Sequence, residues 1–177
     1  MTDPASPLVT DVQIPARDGF SLAATTYGSP TAERVVIISS ATAVPRRFYR
    51  HFAAALVDAG YRVVTYDYRG IGDSRPGRLR GFSASMRDWG LLDMAGVVDW
   101  VRDEHRDAGV YMIGHSVGGQ VAGMLDNAAS VDGMVTFSAQ SGHWRLQGGE
   151  QKYLVAVHMH VTFPLLASVF GYIPWSK

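Results

Sequence analysis

Hydrophobic and polar positions change rhythm along this chain. Two β-rich runs come first, residues 8–14 and 21–27, separated by the turn residues Arg17, Asp18 and Gly19, and they predict an antiparallel pair. From Val35 onward, short continuous apolar runs alternate with helical periodicity. That alternation predicts a buried parallel sheet with crossover helices, its strands at 35–39, 62–66, 110–113 and 134–138. Phe48, Phe52, Ala55, Leu56 and Ala59 recur at helical spacing ahead of Gly60, a residue suited to a helix C-terminus. Leu91, Met94, Ala95, Val98 and Val101 form a second stripe; Asp93, Asp103 and Glu104 are expected to face water, and Trp89 and Trp100 to pack. A third helix, rich in small residues, is expected from Val117 to about Asn127. The most apolar stretch, 154–170, includes His158, His160, Thr162 and Pro164 and falls short of the roughly 20 residues of a span. It reads as a buried or lid helix, with no membrane span expected.

Composition works mainly by exclusion. A chain of 177 residues, 47% hydrophobic and 18% charged, suits an ordinary globular core. The absence of cysteine excludes thiol catalysis, thiolate metal sites and disulfides. Sixteen basic and sixteen acidic side chains cancel, so no global field draws the protein to nucleic acid or an anionic membrane, and a small-molecule partner is expected. Residues 1–15 lack the basic and apolar regions of a secretion signal, which leaves a cytoplasmic location as the default.

The chemistry centres on Gly114-His115-Ser116-Val117-Gly118-Gly119, which directly follows a predicted strand and directly precedes a predicted helix. A turn this tight strains the serine backbone and leaves no room for side chains at Gly114 and Gly118. It also lifts the Ser116 hydroxyl clear of the sheet and points the first helical N–H groups at a developing oxyanion. Val117 N–H is the first expected oxyanion donor. The second is expected from the loop after the first parallel strand, where Thr42 is the candidate and Ala41 and Ala43 are near alternatives. That loop has no glycine, which argues against a dinucleotide-binding turn, and no cofactor or metal is expected.

With these residues in view, the chain resembles the α/β-hydrolase superfamily. Asp67-Tyr68-Arg69-Gly70-Ile71-Gly72-Asp73-Ser74 matches the D-x-R-G-x-G-x-S turn of many members, and the wider likeness is to predicted bacterial serine hydrolases of the serine aminopeptidase and lysophospholipase kind. The resemblance implies an α/β fold carrying a serine nucleophile at Ser116. It covers an N-terminal portion, with 1–145 as core and 146–177 as the start of a cap, and the last strands of the sheet absent. On its own residues, the 67–74 segment reads as a turn whose polar side chains fix a neighbouring loop, and Arg69 is a weaker candidate for gripping a substrate carboxylate.

In the family the triad acid and base follow the nucleophile. After Ser116 the acids are Asp126, Asp132 and Glu150, and the first two are expected to point away from the active edge. Glu150 with His143, His158 or His160 is a remote alternative; His115 is not expected to act as base, and His51 and His105 read as surface helix residues. The leading expectation is a serine hydrolase of acyl esters, thioesters or amides, short of its acid and base. The alternative is a non-catalytic ligand-binding or interaction module on the same scaffold. An unpaired sheet edge is expected to promote self-association.

Overall fold

The computed structural model describes residues 8–141, 143–146 and 148–171. The described residues form two compact units, one within 8–75 and 84–139, the other within 76–83 and 140–171. The second unit joins the loop 76–83 to the segment that follows β6 in the chain.

The first unit is built on six strands: β1 (Val9–Pro15), β2 (Ser21–Tyr27), β3 (Arg34–Ser39), β4 (Arg62–Tyr66), β5 (Gly109–His115) and β6 (Gly133–Phe137). Their order is β1-β2-β4-β3-β5-β6. The pairs β1/β2 and β2/β4 are antiparallel, and β4/β3, β3/β5 and β5/β6 are parallel. The β-branched runs Val35 to Ile38 and Val63 to Thr65 fall in the two central strands and are buried, as strands covered on both faces must be. β6 is an edge strand, with Met134, Val135 and Phe137 exposed.

Helix α1 (Arg50–Asp58) returns the chain from β3 to β4. α2 (Met86–Asp88), a π-helical stretch Trp89–Met94, and α3 (Ala95–Glu104) lead into β5. The π stretch overturns the expectation that Asp93 faces water. A π turn adds a residue to the helical repeat and rotates the following side chains, and Asp93 is fully buried against Arg69. Trp89 packs as expected, stacked on Tyr68 at 5.0 Å, with its Nε1–H donating to the Arg69 carbonyl.

α4 (Val117–Val121) is shorter than its predicted extent and gives way to a 3₁₀ turn at Ala122–Met124. Three glycines within Gly118 to Gly123 explain the early end, since each is a poor helix former. His105 is also corrected. It lies just past the C-terminus of α3, half-buried, with Nε2 buried and without a hydrogen-bond partner among the described residues.

In the second unit, α5 (Gln151–Val157), a π-helical stretch His158–Thr162 and α6 (Phe163–Phe170) make one 20-residue helix. It is neither fully buried nor too short for a span: no residue of its most apolar window is buried, though several are half-buried, and by length and composition it passes as a membrane-crossing helix. The sequence estimate was short because Gln151, Lys152 and Tyr153 extend the helix at its N-terminal end without being apolar.

Candidate active site

Three side-chain-bearing residues other than glycine have positive φ among the described residues: Ala43 (60°), Ser116 (52°) and Ser138 (53°). All three follow the carboxyl ends of parallel strands that are neighbours in the sheet, β3, β5 and β6. Backbone strain is thereby concentrated at one edge, where open α/β sheets bind ligands.

Ser116, with φ 52° and ψ −114°, caps α4 directly after β5. Its N–H donates to the Phe137 carbonyl at 3.0 Å, and its own carbonyl accepts from Gly119 and Gln120 N–H. The surrounding glycines are required by contact. A Cβ on Gly114 would lie 2.7 Å from the Gly119 backbone, one on Gly118 2.3 Å from the Ser39 carbonyl oxygen, and one on Gly119 2.5 Å from the Ala139 Cβ. The elbow therefore touches the ends of both β3 and β6.

The loop after β3 is held from two directions. On one side Tyr49, buried at 4% exposure, accepts a hydrogen bond from Ala41 N–H at 3.0 Å, and its oxygen lies 2.9 Å from His115 Nδ1. Giving the Tyr49 proton to Nδ1 satisfies all three groups and sets His115 as the acceptor there. Burial raises the Tyr49 phenol above its ordinary range, which keeps that proton in place. His115 also stacks on Phe137 at 4.7 Å, so its ring is occupied as a strut between loop and elbow.

On the other side is Arg46. Its N–H and Nη1 both reach the buried Asp67 carboxylate at 2.6 Å, and Nη1 also meets Asp73 at 2.7 Å. Asp67 accepts from Asp73 N–H as well, and Ser74 Oγ bridges Ala23 N–H and the Asp67 carbonyl. The 67–74 turn thus fixes the neighbouring loop. Arg69 is committed elsewhere, to Asp93 and to both oxygens of Asp18, so its fork is not offered to a substrate.

Of the oxyanion candidates, Ala41 N–H is consumed by Tyr49. Thr42 is exposed on the same loop, and no described residue accepts a hydrogen bond from its N–H or from that of Val117. The Val117 side chain anchors the elbow in the core at 1% exposure.

The other expected roles do not converge on the serine. Asp126 pairs with Arg17, and Asp132 with Arg102 and Val110 N–H, at the start of β6. Within the second unit, His158 Nδ1–H donates to the Leu154 carbonyl, and His143 accepts from Arg145 N–H while stacking on Trp144. Among the described residues, no carboxylate hydrogen-bonds to a histidine. Sequence reasoning missed Tyr49, Arg46 and Phe137 as parts of the site. Their partners lie 66, 21 and 21 residues away, so no local pattern announces them.

A mostly parallel sheet with crossover helices, carrying a serine at a strained strand-to-helix turn on its carboxyl edge, defines an α/β-hydrolase. Within that class the chain belongs to the serine aminopeptidase S33 family, whose pattern matches residues 30–169. It is 31% identical over 114 residues to a Variovorax paradoxus (strain S110) protein named as a carbamate hydrolase, RutD, covering 63% of this chain and 40% of that one. Its fold is similar to the esterase Pf2001 of Pyrococcus furiosus (TM-score 0.65, 21% identity, 85% of this chain and 61% of the esterase). It is also similar to XC6422 of Xanthomonas campestris, a serine hydrolase without a lid (TM-score 0.61, 18% identity, 81% and 66% covered). The chain therefore spans less than half the length of the first relative and about 61% of the esterase.

Proposed function

We propose that this chain carries the nucleophile and oxyanion site of a hydrolase acting on small acyl esters, thioesters or amides. Ser116 Oγ attacks the carbonyl carbon, and Val117 and Thr42 N–H take the charge that develops on its oxygen. The leaving group departs with a proton, and water then releases the acyl group from the serine. The observation that carries this reading is the Ser116 backbone at φ 52°, ψ −114°, packed by three glycines against β3 and β6. Such strain persists only where the surroundings enforce it. Acid and base belong to groups that the described residues do not pair.

The test is covalent labelling of the 177-residue chain and its Ser116→Ala variant with a fluorophosphonate. Labelling should be slow and confined to the serine form, because a neutral hydroxyl without a base is a weak nucleophile. Equal labelling of the alanine variant overturns the assignment. That no histidine pairs with a carboxylate among the described residues favours a second reading, a binding module that retains the hydrolase pocket. It predicts acyl-ligand binding with no serine adduct.

A further inference from the structure

The neutral total charge conceals an imbalance between the two units. Residues 1–75 and 84–139 hold eleven basic and fifteen acidic side chains. Residues 76–83 and 140–171 hold four basic ones, Arg78, Arg80, Arg145 and Lys152, against the single acid Glu150. This basic unit also carries the 20-residue helix, which has no fully buried residue and whose most apolar window has a mean hydropathy of 1.6. Leu154, Val157, Val161, Leu165 and Val169 recur along it at three- and four-residue spacing, each at least 50% exposed. Exposed apolar side chains along the whole length of a helix mark an interaction surface.

Charge identifies what covers it. Cations stand at both ends of the strip: Lys152 in the first helical turn with Arg145 shortly before it, and Arg80, whose Nη2 donates to the Val169 carbonyl at 3.1 Å in the last turn. Amphipathic aromatics accompany the N-terminal pair. The Arg145 guanidinium lies 5.2 Å from the Trp144 ring, the Lys152 ammonium 5.1 Å from Tyr153, and Tyr153 is 61% exposed. Apolar strip, flanking cations and interfacial aromatics together match the headgroup layer of an anionic bilayer, where long basic side chains meet phosphate while aliphatic ones enter the acyl boundary. A protein partner of ordinary composition gives no reason for so one-sided a charge.

We propose that the second unit is a docking surface for anionic phospholipid membranes, with the 151–170 helix seated along the surface. It lies on the bilayer without crossing it. Its C-terminal turn is tied by Arg80 to a loop whose two ends continue into the first unit, and its N-terminal turn follows a short segment from β6. The surface concerns where the protein sits and does not depend on the role of Ser116.

The experiment is co-sedimentation of the 177-residue chain with phosphatidylcholine vesicles, with or without phosphatidylserine at about one lipid in three. Expected is binding to the anionic vesicles at least about tenfold tighter than to the neutral ones, weakened near 0.5 M salt, where the Debye length falls to a few ångströms. Arg145→Gln and Lys152→Gln should each weaken it about fivefold. Leu154→Glu with Leu165→Glu should abolish it while circular dichroism stays unchanged, and Ser116→Ala should bind as the parent does. Equal binding to both vesicle types overturns the proposal, as does retention in the supernatant with both. So do lipid-free oligomers that are dissolved by the Leu154/Leu165 double change and ignore vesicles, because the helix would then be covered by a second copy.

Discussion

The Tyr49 hydroxyl lies 2.9 Å from His115 Nδ1 while accepting the Ala41 N–H at 3.0 Å, so one buried phenol joins the loop after β3 to the Ser116 turn after β5. Thr42, the proposed second oxyanion donor, and Ser116 each follow directly after a residue of that joint, Ala41 and His115. Tyr49→Phe removes only the oxygen and leaves the buried Ala41 N–H without its acceptor. We expect a loss of about 1–3 kcal/mol in urea unfolding, and slower fluorophosphonate labelling than the unfolding loss alone accounts for. An unfolding free energy within about 0.3 kcal/mol of the parent would show that the joint carries no tension.

A second expectation separates space from propensity. Gly118→Ala places a Cβ 2.3 Å from the Ser39 carbonyl oxygen, a backbone atom that no rotamer change can move aside. It should cost more than about 2 kcal/mol or prevent soluble expression. Gly123→Ala, five residues on, meets nothing within 4 Å and has no positive φ. It should be neutral or slightly stabilising, because alanine loses less backbone entropy than glycine. Comparable losses from both variants, measured by thermal unfolding, would contradict the close-approach account of the elbow.

The Arg69–Asp93 contact is the most buried ion pair in the first unit, with Asp93 side-chain exposure at 0% and Arg69 at 8%. Burial raises the Asp93 carboxyl above its ordinary range, and the Arg69 hydrogen bonds oppose the rise. Asp93→Ala leaves the guanidinium with Asp18 as its remaining carboxylate, itself 39% exposed, and should cost about 3–5 kcal/mol. Asp93 Oδ2 also accepts the Arg69 N–H at 2.9 Å, so chemical denaturation of this variant reports the lost charge together with that buried backbone bond.

His105 provides a pH signature. Burial, and secondarily the nearby Arg62 charge, lower its pKa below the ordinary 6.5, with Glu104 opposing. The unfolded chain therefore binds a proton at higher pH than the folded one does. As pH falls below about 6.5, protonation favours the unfolded state, so stability declines on acidification and is regained as pH rises through that window. His105→Gln removes the titrating group. The difference in urea midpoint between parent and variant should change between pH 7.5 and pH 5, in the direction of the variant losing less. A pH-independent difference would mean the imidazole titrates alike in both states.

Much of this was legible in the sequence for identifiable reasons. β3 and β4 announced themselves because their β-branched runs are buried on both faces, and the elbow because three close approaches leave only glycine at positions 114, 118 and 119. Asp93 misled because a π stretch breaks the 3.6-residue template used to place it outside. The 151–170 helix was underestimated because polar residues in its first turn ended the apolar run before the helix ended. Tyr49, Arg46 and Phe137 were invisible because each acts through a partner brought near by strand order, which no local window contains.

The two edges of the sheet differ in a way that predicts how the chain associates in lipid-free solution. β1 carries Asp11, 76% exposed in its side chain, and ends in Pro15, and both features discourage another strand from adding to it. β6 reads Gly-Met-Val-Thr-Phe, with no charge and no proline, and Val135 is 65% exposed. Its unused backbone groups and apolar side chains template pairing with the same strand of a second copy, and an overall charge of zero offers no repulsion against it. We expect sedimentation velocity at tens of micromolar, roughly the range where exposed edges associate, to show species larger than the monomer. Val135→Lys places a charge at the centre of the strand and should shift the distribution to monomer, while leaving vesicle binding by the 151–170 helix intact. Adding the corresponding charge to β1 through Thr10→Lys should leave association unchanged, because that edge is already guarded. A monomeric parent would overturn the expectation, and association that survives Val135→Lys would place the interface elsewhere than β6.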